Sequence, residues 1–295
     1  MFKGFERARI ETPGATINLL RGGDGPPLLL LHGYPQTHVM WHKVAPELAR
    51  HFTVVAPDLR GYGDSDKPAG GGDHAAYSKR AMAEDQVRVM AALGFERFDV
   101  VGHDRGARVG HRLVLDHPDR VRRQVVLDVV ATDEIFANVD ARLATAYFHW
   151  FMMLQPEPLA ETLIGNATEF YMRWLMGRWC TVPGAVTEEA FTEYFRCFNT
   201  PEAVHAACED YRAAPLDIAH NEVDRGRMLE CPILVLWGGA QTQHPGWPSM
   251  SLDILETWRR RATDVRGRGL ACGHFLPEEA PEETTAEILA FLRQE

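Results

Sequence analysis

Short apolar runs alternate with longer amphipathic stretches through the first half of the chain. Each run carries Leu and Val at consecutive positions, which is typical of parallel strands that are buried on both faces. The runs are PPLLLLHG at 26–33, FTVVAPD at 52–58, FDVVGHD at 98–104 and RQVVLDVV at 123–130. Between them, apolar residues recur at helical spacing over 41–50, 79–93 and 105–117. The alternation predicts an α/β fold, with a mostly parallel sheet flanked by helices.

The alternation stops near residue 133 and resumes near residue 225. The stretch between them is rich in aromatic residues and Met, as in AYFHWFMML and FYMRWLMGRW, and has few strand-like runs. A strand pattern follows at 231–239, a weaker one at 265–275, and a helical pattern over 284–294. We therefore expect a core of residues 1–132 and 225–295, with residues 133–224 inserted between two strands as a helical cap.

Charge and composition narrow the classes of partner. The 295 residues are 45% hydrophobic and 24% charged, and the net charge is −10 at pH 7. This charge argues against nucleic acid or an acidic membrane surface as a partner, and an anionic substrate would need a local group of positive charge. No run approaches the ~20 apolar residues that span a bilayer, and the first residues lack the apolar stretch of a signal peptide.

The cysteines point to a reducing compartment. They are odd in number, scattered and without a C-x-x-C pair, which argues against a disulfide framework or a zinc site. They are Cys180, Cys197, Cys208, Cys231 and Cys272. Together with the absence of a signal peptide, this pattern leads us to expect a cytoplasmic protein.

The segment GHDRG at 102–106 joins a buried strand pattern to a helical one. Its spacing matches the G-x-S-x-G turn that presents a nucleophile, but Asp104 stands where serine would. An aspartate before a helix is often only an N-cap, although the flanking glycines favour a sharp turn at a strand end. A carboxylate is ionised at neutral pH and can displace a leaving group from saturated carbon to give an ester. Asp104 is therefore the candidate nucleophile.

Hydrolysis of such an ester needs a base, an orienting acid and oxyanion donors. His274 is the candidate base, since it is the one histidine after the last strand pattern. The strand at 231–239 is followed by no carboxylate before Asp253, so the acid is expected at the end of the preceding strand, at Asp128. Asp128 could instead cap that strand or pair with an arginine. The backbone N–H groups of Tyr34 and Arg105 are the expected oxyanion donors.

Two arginines stand in the first turn of the helix after Asp104, where the helix dipole disfavours positive charge. Arg105 and Arg108 are three positions apart and so share a face, and Asp104 neutralises only one of them. The surplus charge indicates a substrate carboxylate, which two guanidinium groups bind well. Arg112, farther along the same helix, is expected to be a solvated surface residue.

The motifs LHGYPQT, RGYGDSDKP, GHDRGAR and FHWFMML occur in this order, and the chain resembles the fluoroacetate (haloacetate) dehalogenases of the α/β-hydrolase superfamily. The resemblance implies that Asp104 is the nucleophile, His274 the base and Asp128 the acid. It also implies a substrate-carboxylate clamp and a halide site in the cap, a homodimer, and a reaction without metal or organic cofactor. The clamp would be Arg105 and Arg108, and the halide donors His149, Trp150 and Tyr211. Tyr147, Tyr171 and Tyr194 also lie in the cap, so the choice of tyrosine stays open.

Three functions are compatible with these residues. The leading one is hydrolysis of a short 2-haloacid, in which haloacetate and water give glycolate and halide, with fluoride, chloride and bromide all open as leaving groups. An epoxide hydrolase with the same nucleophile is the alternative, but it gives Arg105 and Arg108 no obvious task. A non-catalytic small-molecule receptor is the third, although such a protein would be expected to lose the triad residues that are present here.

Overall fold

The apolar runs form the middle of an eight-stranded sheet in the computed structural model, which describes residues 1–240 and 253–294. The strands are β1 (Glu6–Glu11), β2 (Thr16–Gly22), β3 (Pro27–Leu31), β4 (Thr53–Pro57), β5 (Phe98–His103), β6 (Val121–Leu127), β7 (Ile233–Gly238) and β8 (Val265–Leu270). Their order across the sheet is β1-β2-β4-β3-β5-β6-β7-β8. Strands β3 to β8 pair in parallel, whereas β1 and β2 pair antiparallel with their neighbours. The prediction of an α/β fold with a mostly parallel sheet is confirmed.

The sequence pattern does not predict β1 and β2. Strand β1 reads ERARIE and is largely exposed at the sheet edge, so its charged residues hide the strand signal. Arg7 and Arg9 there pair with Asp64 and Asp66 at 2.9 and 3.0 Å. A charged edge of this kind discourages pairing with the edge of another sheet.

The sheet register brings the carboxyl ends of several strands to one edge. Leu31 of β3 pairs with Gly102 of β5, which pairs in turn with Val126 of β6. Strand β6 ends at Leu127, earlier than the sequence pattern suggests, and β8 ends at Leu270. Asp128 and His274 therefore lie in loops beyond strand ends, where open α/β sheets bind their ligands.

Helices cover the sheet and fill the connection between β6 and β7. They are α1 (Ala45–Leu48), α2 (Lys79–Ala92), α3 (Arg105–Asp116), α4 (Thr132–Ala137), α5 (Ala141–Ala146), α6 (Phe148–Met153), α7 (Leu159–Gly165), α8 (Thr168–Trp179), α9 (Glu188–Phe198), α10 (Pro201–Arg212), α11 (Ala214–Val223), α12 (Ile254–Arg259), α13 (Leu276–Glu279) and α14 (Pro281–Leu292). The helical pattern at 41–50 is realised only in part, by a 3-10 turn at His38–Trp41 and by α1.

Eight helices, α4 to α11, lie between β6 and β7. We call residues 132–223 the helical insertion; they occupy the stretch for which the sequence predicts a cap. Buried aromatic residues of the insertion, including Trp150 and Tyr211, join the same hydrophobic cluster as Leu31 and Val126 of the sheet. The insertion thus packs on the core and supplies side chains to the strand ends.

Other sequence expectations concern membranes, metals and thiols. Among the described residues, no helix is both long and apolar enough to cross a bilayer. Within the same ranges, no three His, Cys, Asp or Glu side chains converge to hold a metal ion. The five cysteines are free thiols. Most of the loop at 239–250, to which the sequence assigns no role, lies outside the described residues.

Candidate active site

Asp104 stands on a strained turn between β5 and α3. Its backbone has φ +47° and ψ −116°, a conformation that non-glycine residues rarely adopt. The turn is possible because its neighbours lack side chains: a Cβ on Gly106 would lie 2.4 Å from the His32 carbonyl oxygen, and one on Gly33 would lie 2.4 Å from the Asp104 Cβ. The turn places the Asp104 carboxylate just beyond the carboxyl end of β5.

The two oxygens of Asp104 have different partners. Oδ1 accepts the Tyr34 N–H at 3.0 Å, whereas Oδ2 lies 3.2 Å from Arg108 Nη1. Burial would raise the pKa of this carboxyl, but the charges of Arg108 and His274 outweigh burial and hold the pKa well below its usual range. Asp104 is therefore ionised at neutral pH. Arg105 is the first residue of α3, so its backbone N–H has no hydrogen-bond acceptor within the helix.

His274 and Asp128 form a close pair. The His274 Nδ1 lies 2.5 Å from Asp128 Oδ2, and Asp128 Oδ1 accepts the Gly238 N–H at 2.8 Å. Asp128 has a φ of +56°, which turns its side chain back toward the loop that carries His274. Burial lowers the pKa of His274, but the hydrogen bond and charge of Asp128 outweigh burial and raise the pKa above its ordinary value. The sequence leaves open whether Asp128 caps its strand, pairs with an arginine or orients the base. In the structure its carboxylate lies beside the His274 imidazole.

Arg105 is paired with a residue that the sequence reasoning missed. Its Nε donates to Asp210 Oδ2 at 2.9 Å, and its Nη2 donates to Asp210 Oδ1 at 2.7 Å and to the Asp210 carbonyl at 2.6 Å. Both side chains are fully buried. The sequence argument that Asp104 neutralises only one of the two arginines and leaves a surplus charge is therefore wrong, because Asp210 of α10 neutralises Arg105. Only Nη1 of Arg105 lacks a hydrogen-bond partner among the described residues.

Asp210 is the centre of a larger buried network. It accepts hydrogen bonds from the Lys79 ammonium and, at 2.6 Å, from the Tyr62 hydroxyl. Lys79 also lies 3.5 Å from Asp217 Oδ2. The charges of Arg105 and Lys79 outweigh burial and hold the pKa of Asp210 well below its usual range. The network ties α2 and α3 of the core to α10 and α11 of the helical insertion.

The rings of Trp150 and Tyr211 meet the two arginines. The Cζ of Arg105 lies 4.3 Å from the Tyr211 ring centroid and 5.3 Å from that of Trp150. The Arg108 Cζ lies 4.8 Å from the Trp150 ring. Such cation–π contacts hold guanidinium groups in place without using their N–H donors. Four predicted residues from three separate parts of the sequence are thus neighbours.

His149 lies on the same wall of the site. Its ring centroid is 5.7 Å from that of Tyr211, and its Nδ1 has no hydrogen-bond partner among the described residues. Burial lowers the pKa of His149 to about 3, so the imidazole is neutral at pH 7. A neutral imidazole has one N–H to donate. The surrounding aromatic rings bury it away from solvent.

The tyrosine alternatives separate in the structure. Tyr194 bonds to Glu278 at 3.2 Å, and Tyr171 accepts from the Tyr34 hydroxyl at 3.0 Å. The Tyr147 ring stacks on His149 with centroids 6.0 Å apart, whereas Tyr211 contacts Trp150 and Arg105 together. Tyr147 and Tyr211 thus both lie beside His149 and Trp150, and Tyr211 is the one whose ring the Arg105 guanidinium contacts.

Arg112 is not the solvated residue that the sequence suggests. Its side chain is 2% exposed and lies 2.5 Å from both Asp116 and Asp224. The prediction was wrong because the carboxylates of Asp116 and of Asp224, the residue after α11, both lie against the guanidinium in the fold. Its two carboxylate partners explain how a guanidinium can be buried there.

Trp179, at the end of α8, is a second residue missed by the sequence reasoning. Its ring lies 4.8 Å from that of His149 and 5.4 Å from that of His274. Its carbonyl accepts the His274 N–H at 3.0 Å. The composition of α8 indicates only packing, and no local motif marks this position. Asp210 could have been suspected, since it is an acid next to the candidate Tyr211.

Comparisons with known proteins show the family of the fold. A family model described as the alpha/beta hydrolase fold matches residues 26–246. A fluoroacetate dehalogenase from Burkholderia sp is 45% identical, with 99% of this chain and 95% of that protein covered. A soluble epoxide hydrolase from Corynebacterium sp. (strain C12) is 33% identical, with 95% and 96% covered.

Among solved structures, a protein from Nostoc sp PCC 7120 assigned to the alpha/beta hydrolases is 54% identical. It superposes with a TM-score of 0.96 over 100% of both chains. The match includes the helical insertion as well as the sheet, because it covers the whole length. The chain therefore belongs to the α/β-hydrolase family, and within that family it resembles a fluoroacetate dehalogenase over nearly its full length.

Proposed function

We propose that the protein hydrolyses short 2-haloacids, so that haloacetate and water give glycolate and halide. One observation carries the proposal: the ionised carboxylate of Asp104 lies 3.2 Å from Arg108 and shares a buried site with Arg105, whose Nη1 is unpartnered among the described residues. The carboxylate of a haloacetate can accept hydrogen bonds from Arg108 and from Nη1 of Arg105. Its halogen-bearing carbon then faces the Asp104 carboxylate. The fluoroacetate dehalogenase relative supports this substrate class.

In the first step, Asp104 Oδ2 attacks the carbon that bears the halogen. The new C–O bond forms as the C–X bond breaks, and the halide leaves with the bonding electron pair. Oδ1, held by the Tyr34 N–H, becomes the carbonyl oxygen of the ester. Arg108 exchanges its contact with Oδ2 for the substrate carboxylate, which frees the attacking oxygen.

The departing halide is stabilised by hydrogen-bond donors of the helical insertion. The candidates are the N–H groups of His149 and Trp150 and the hydroxyl of Tyr211, all buried. Fluoride is a poor leaving group unless its negative charge is strongly stabilised. Donors that are buried from water and fixed in position therefore help most in this step. Burial keeps His149 neutral, which favours donation without a competing titration.

In the second step, His274 takes a proton from water, and the hydroxide adds to the ester carbonyl carbon of Asp104. The developing oxyanion is held by the backbone N–H groups of Tyr34 and Arg105. Collapse breaks the ester bond, and the proton returns from His274 to the glycolate oxygen. Asp104 is left as a carboxylic acid and releases its proton to solvent, so that each turnover yields glycolate, halide and one proton. Asp128 holds the imidazole tautomer and stabilises its charge. These steps use only water and the side chains and backbone N–H groups of this chain. The homodimer, which the family resemblance implies, stays a prediction.

The decisive experiment traps the ester. His274→Asn incubated with fluoroacetate or chloroacetate should release halide once per subunit and add the mass of a carboxymethyl group to the peptide that contains Asp104. The wild type should release fluoride, chloride or bromide continuously from the matching haloacetates. A His274→Asn protein that binds haloacetate but stays unmodified would support a receptor and overturn the proposal.

An epoxide hydrolase is the second candidate, because a relative of that description is 33% identical over 95% of this chain. The same Asp104 would open the epoxide, and a tyrosine hydroxyl such as that of Tyr211 would protonate its oxygen. This reaction leaves the two buried arginines without a substrate carboxylate. Diol formation from styrene oxide, without halide release from any haloacetate, would favour the epoxide hydrolase.

A further inference from the structure

Glu279, the last residue of α13, receives hydrogen bonds on both sides of His274. Its Oε1 accepts the Phe275 N–H at 2.8 Å, and its Oε2 accepts the Gly273 N–H at 2.9 Å. Glu279 is 9% exposed. The carboxylate therefore holds the residues before and after the candidate base, without contacting the imidazole hydrogen-bond partner Asp128.

The same carboxylate reaches the helical insertion. Oε2 also accepts the Thr181 N–H at 2.7 Å, the Thr181 hydroxyl at 3.0 Å and the Val182 N–H at 3.1 Å. The segment 179–182 begins with Trp179, the last residue of α8, whose carbonyl accepts the His274 N–H at 3.0 Å. One buried group thus joins the loop 273–275 to the segment 179–182.

The loop leaves little freedom for its own backbone. A Cβ on Gly273 would lie 2.4 Å from the Trp179 carbonyl oxygen and 2.8 Å from both Glu279 oxygens. On the opposite side, the His274 carbonyl lies 2.8 Å from His103 Nε2 on β5. Asp128 fixes the Nδ1 side of the ring, whereas the position of the backbone decides where Nε2 points.

We propose that Glu279 is a positioning residue for His274: by fixing the loop 273–275 against the segment 179–182, it aims the base at the water that hydrolyses the ester on Asp104. This inference rests on the proposed function and concerns its second step alone. The first step uses Asp104, the arginines and the halide donors, which Glu279 does not contact. The two half-reactions should therefore respond differently to a change at this residue.

The test is Glu279→Gln, which keeps the shape of the side chain. Its Oε can still accept from one side, but its NH₂ group must face an N–H of the loop or of the segment 179–182. A misplaced base costs on the order of 10- to 100-fold in rate. We expect a burst of halide at the wild-type rate, then hydrolysis slowed by about that factor, with the ester accumulating on the Asp104 peptide.

Glu278→Gln is the matched control. Glu278 is the adjacent buried glutamate of the same helix, but its carboxyl bonds to Gln36 and Tyr194 and not to the base loop. We expect this variant to show both half-reactions at the wild-type rate. Ester accumulation in Glu278→Gln as large as in Glu279→Gln would overturn the assignment, because it would point to general loosening of α13.

His274→Asn in the same assay separates the two claims. If it traps the ester while Glu279→Gln hydrolyses at the wild-type rate, or is slowed equally in both steps, the role of Glu279 is refuted and the proposed function stands. If His274→Asn traps nothing, the proposed function fails and the role of Glu279 with it. Should Glu279→Gln not fold, Thr181→Ala removes one donor to Oε2. It should slow ester hydrolysis alone by a smaller factor, and an unchanged rate would refute the proposal.

Discussion

Arg105 and Asp210 form a fully buried ion pair in which one carboxylate and its own carbonyl accept three hydrogen bonds from one guanidinium group. The pair joins the first turn of α3 to α10 of the helical insertion. Because Nε and Nη2 are occupied, Arg105 can offer a substrate only Nη1. The charge of the site is therefore set as much by Asp210 as by the arginines themselves.

We predict that Asp210→Asn is strongly destabilised. The change leaves Arg105 and Lys79 buried without their shared carboxylate, and breaking a buried pair in this way costs about 3–5 kcal/mol. For a chain of this size the melting temperature should fall by on the order of 10 °C. Differential scanning calorimetry measures the change.

The double variant Lys79→Met, Asp210→Asn is its control. It removes one positive and one negative charge together, so it should recover part of the lost melting temperature. In both variants Arg105 loses the carboxylate that holds it, so we expect the KM for chloroacetate to be higher than that of the wild type in both. A single variant whose melting temperature matches the wild type would show that the network does not stabilise the fold.

The sequence predicts the centre of the fold well because its strands are buried on both faces and are therefore continuously apolar. It misses β1, whose charged residues face solvent at the sheet edge, since burial there is too slight to leave a pattern. It also misplaces the end of β6, because Val129 and Val130 continue the apolar run although they are buried outside the strand.

The candidate site is predictable where a motif combines glycine spacing with chemistry, as at Asp104. Asp210 and Glu279 are different, because each also has partners far away in sequence: Arg105 lies 105 positions from Asp210, and Thr181 lies 98 positions from Glu279. An acid on a helix gives no local sign of whether it faces solvent or a buried cation. Arg112 shows the same difficulty for a cation. The sequence suggests that it is solvated, whereas it is buried against Asp116 and Asp224.

We predict that Arg108→Lys weakens haloacetate turnover sharply. Lysine keeps the charge but loses the planar fork that can bind two carboxylate oxygens and lie against the Trp150 ring. Loss of one charged hydrogen bond corresponds to about 10- to 100-fold in kcat/KM. Steady-state halide release from chloroacetate measures it.

Arg112→Lys is the matched control on the same helix. Arg112 is buried, but its partners are Asp116 and Asp224, away from Asp104. Its kcat/KM should stay near the wild-type value even if stability falls. An Arg108→Lys enzyme with unchanged kinetics would remove Arg108 from the substrate site.

We predict that kcat rises with pH through the titration of His274. The base must be neutral to take a proton from water, so activity is lost as pH falls below its pKa. Asp128 raises the pKa of His274 above its ordinary value. Asp128→Asn should therefore move the acidic limb of the kcat profile to lower pH, as well as lowering kcat. The pH profile of chloride release between pH 5 and 9 is the measurement, and a limb that does not move would mean that another group titrates.

We predict that Glu278→Gln makes the stability of the fold fall less as pH rises from 6 to 9. Burial raises the pKa of Glu278 to about 8 from an ordinary 4.5, so the folded protein holds a proton that the unfolded chain releases. This contribution is fully present below pH 4.5 and is lost as pH rises through 8, by on the order of 3–5 kcal/mol. Glutamine mimics the protonated form, since it can accept from Gln36 and donate to the Tyr194 hydroxyl. Urea unfolding at pH 6 and 9 should show a smaller loss for the variant than for the wild type, and equal losses would mean that Glu278 is ionised in the folded protein at both pH values.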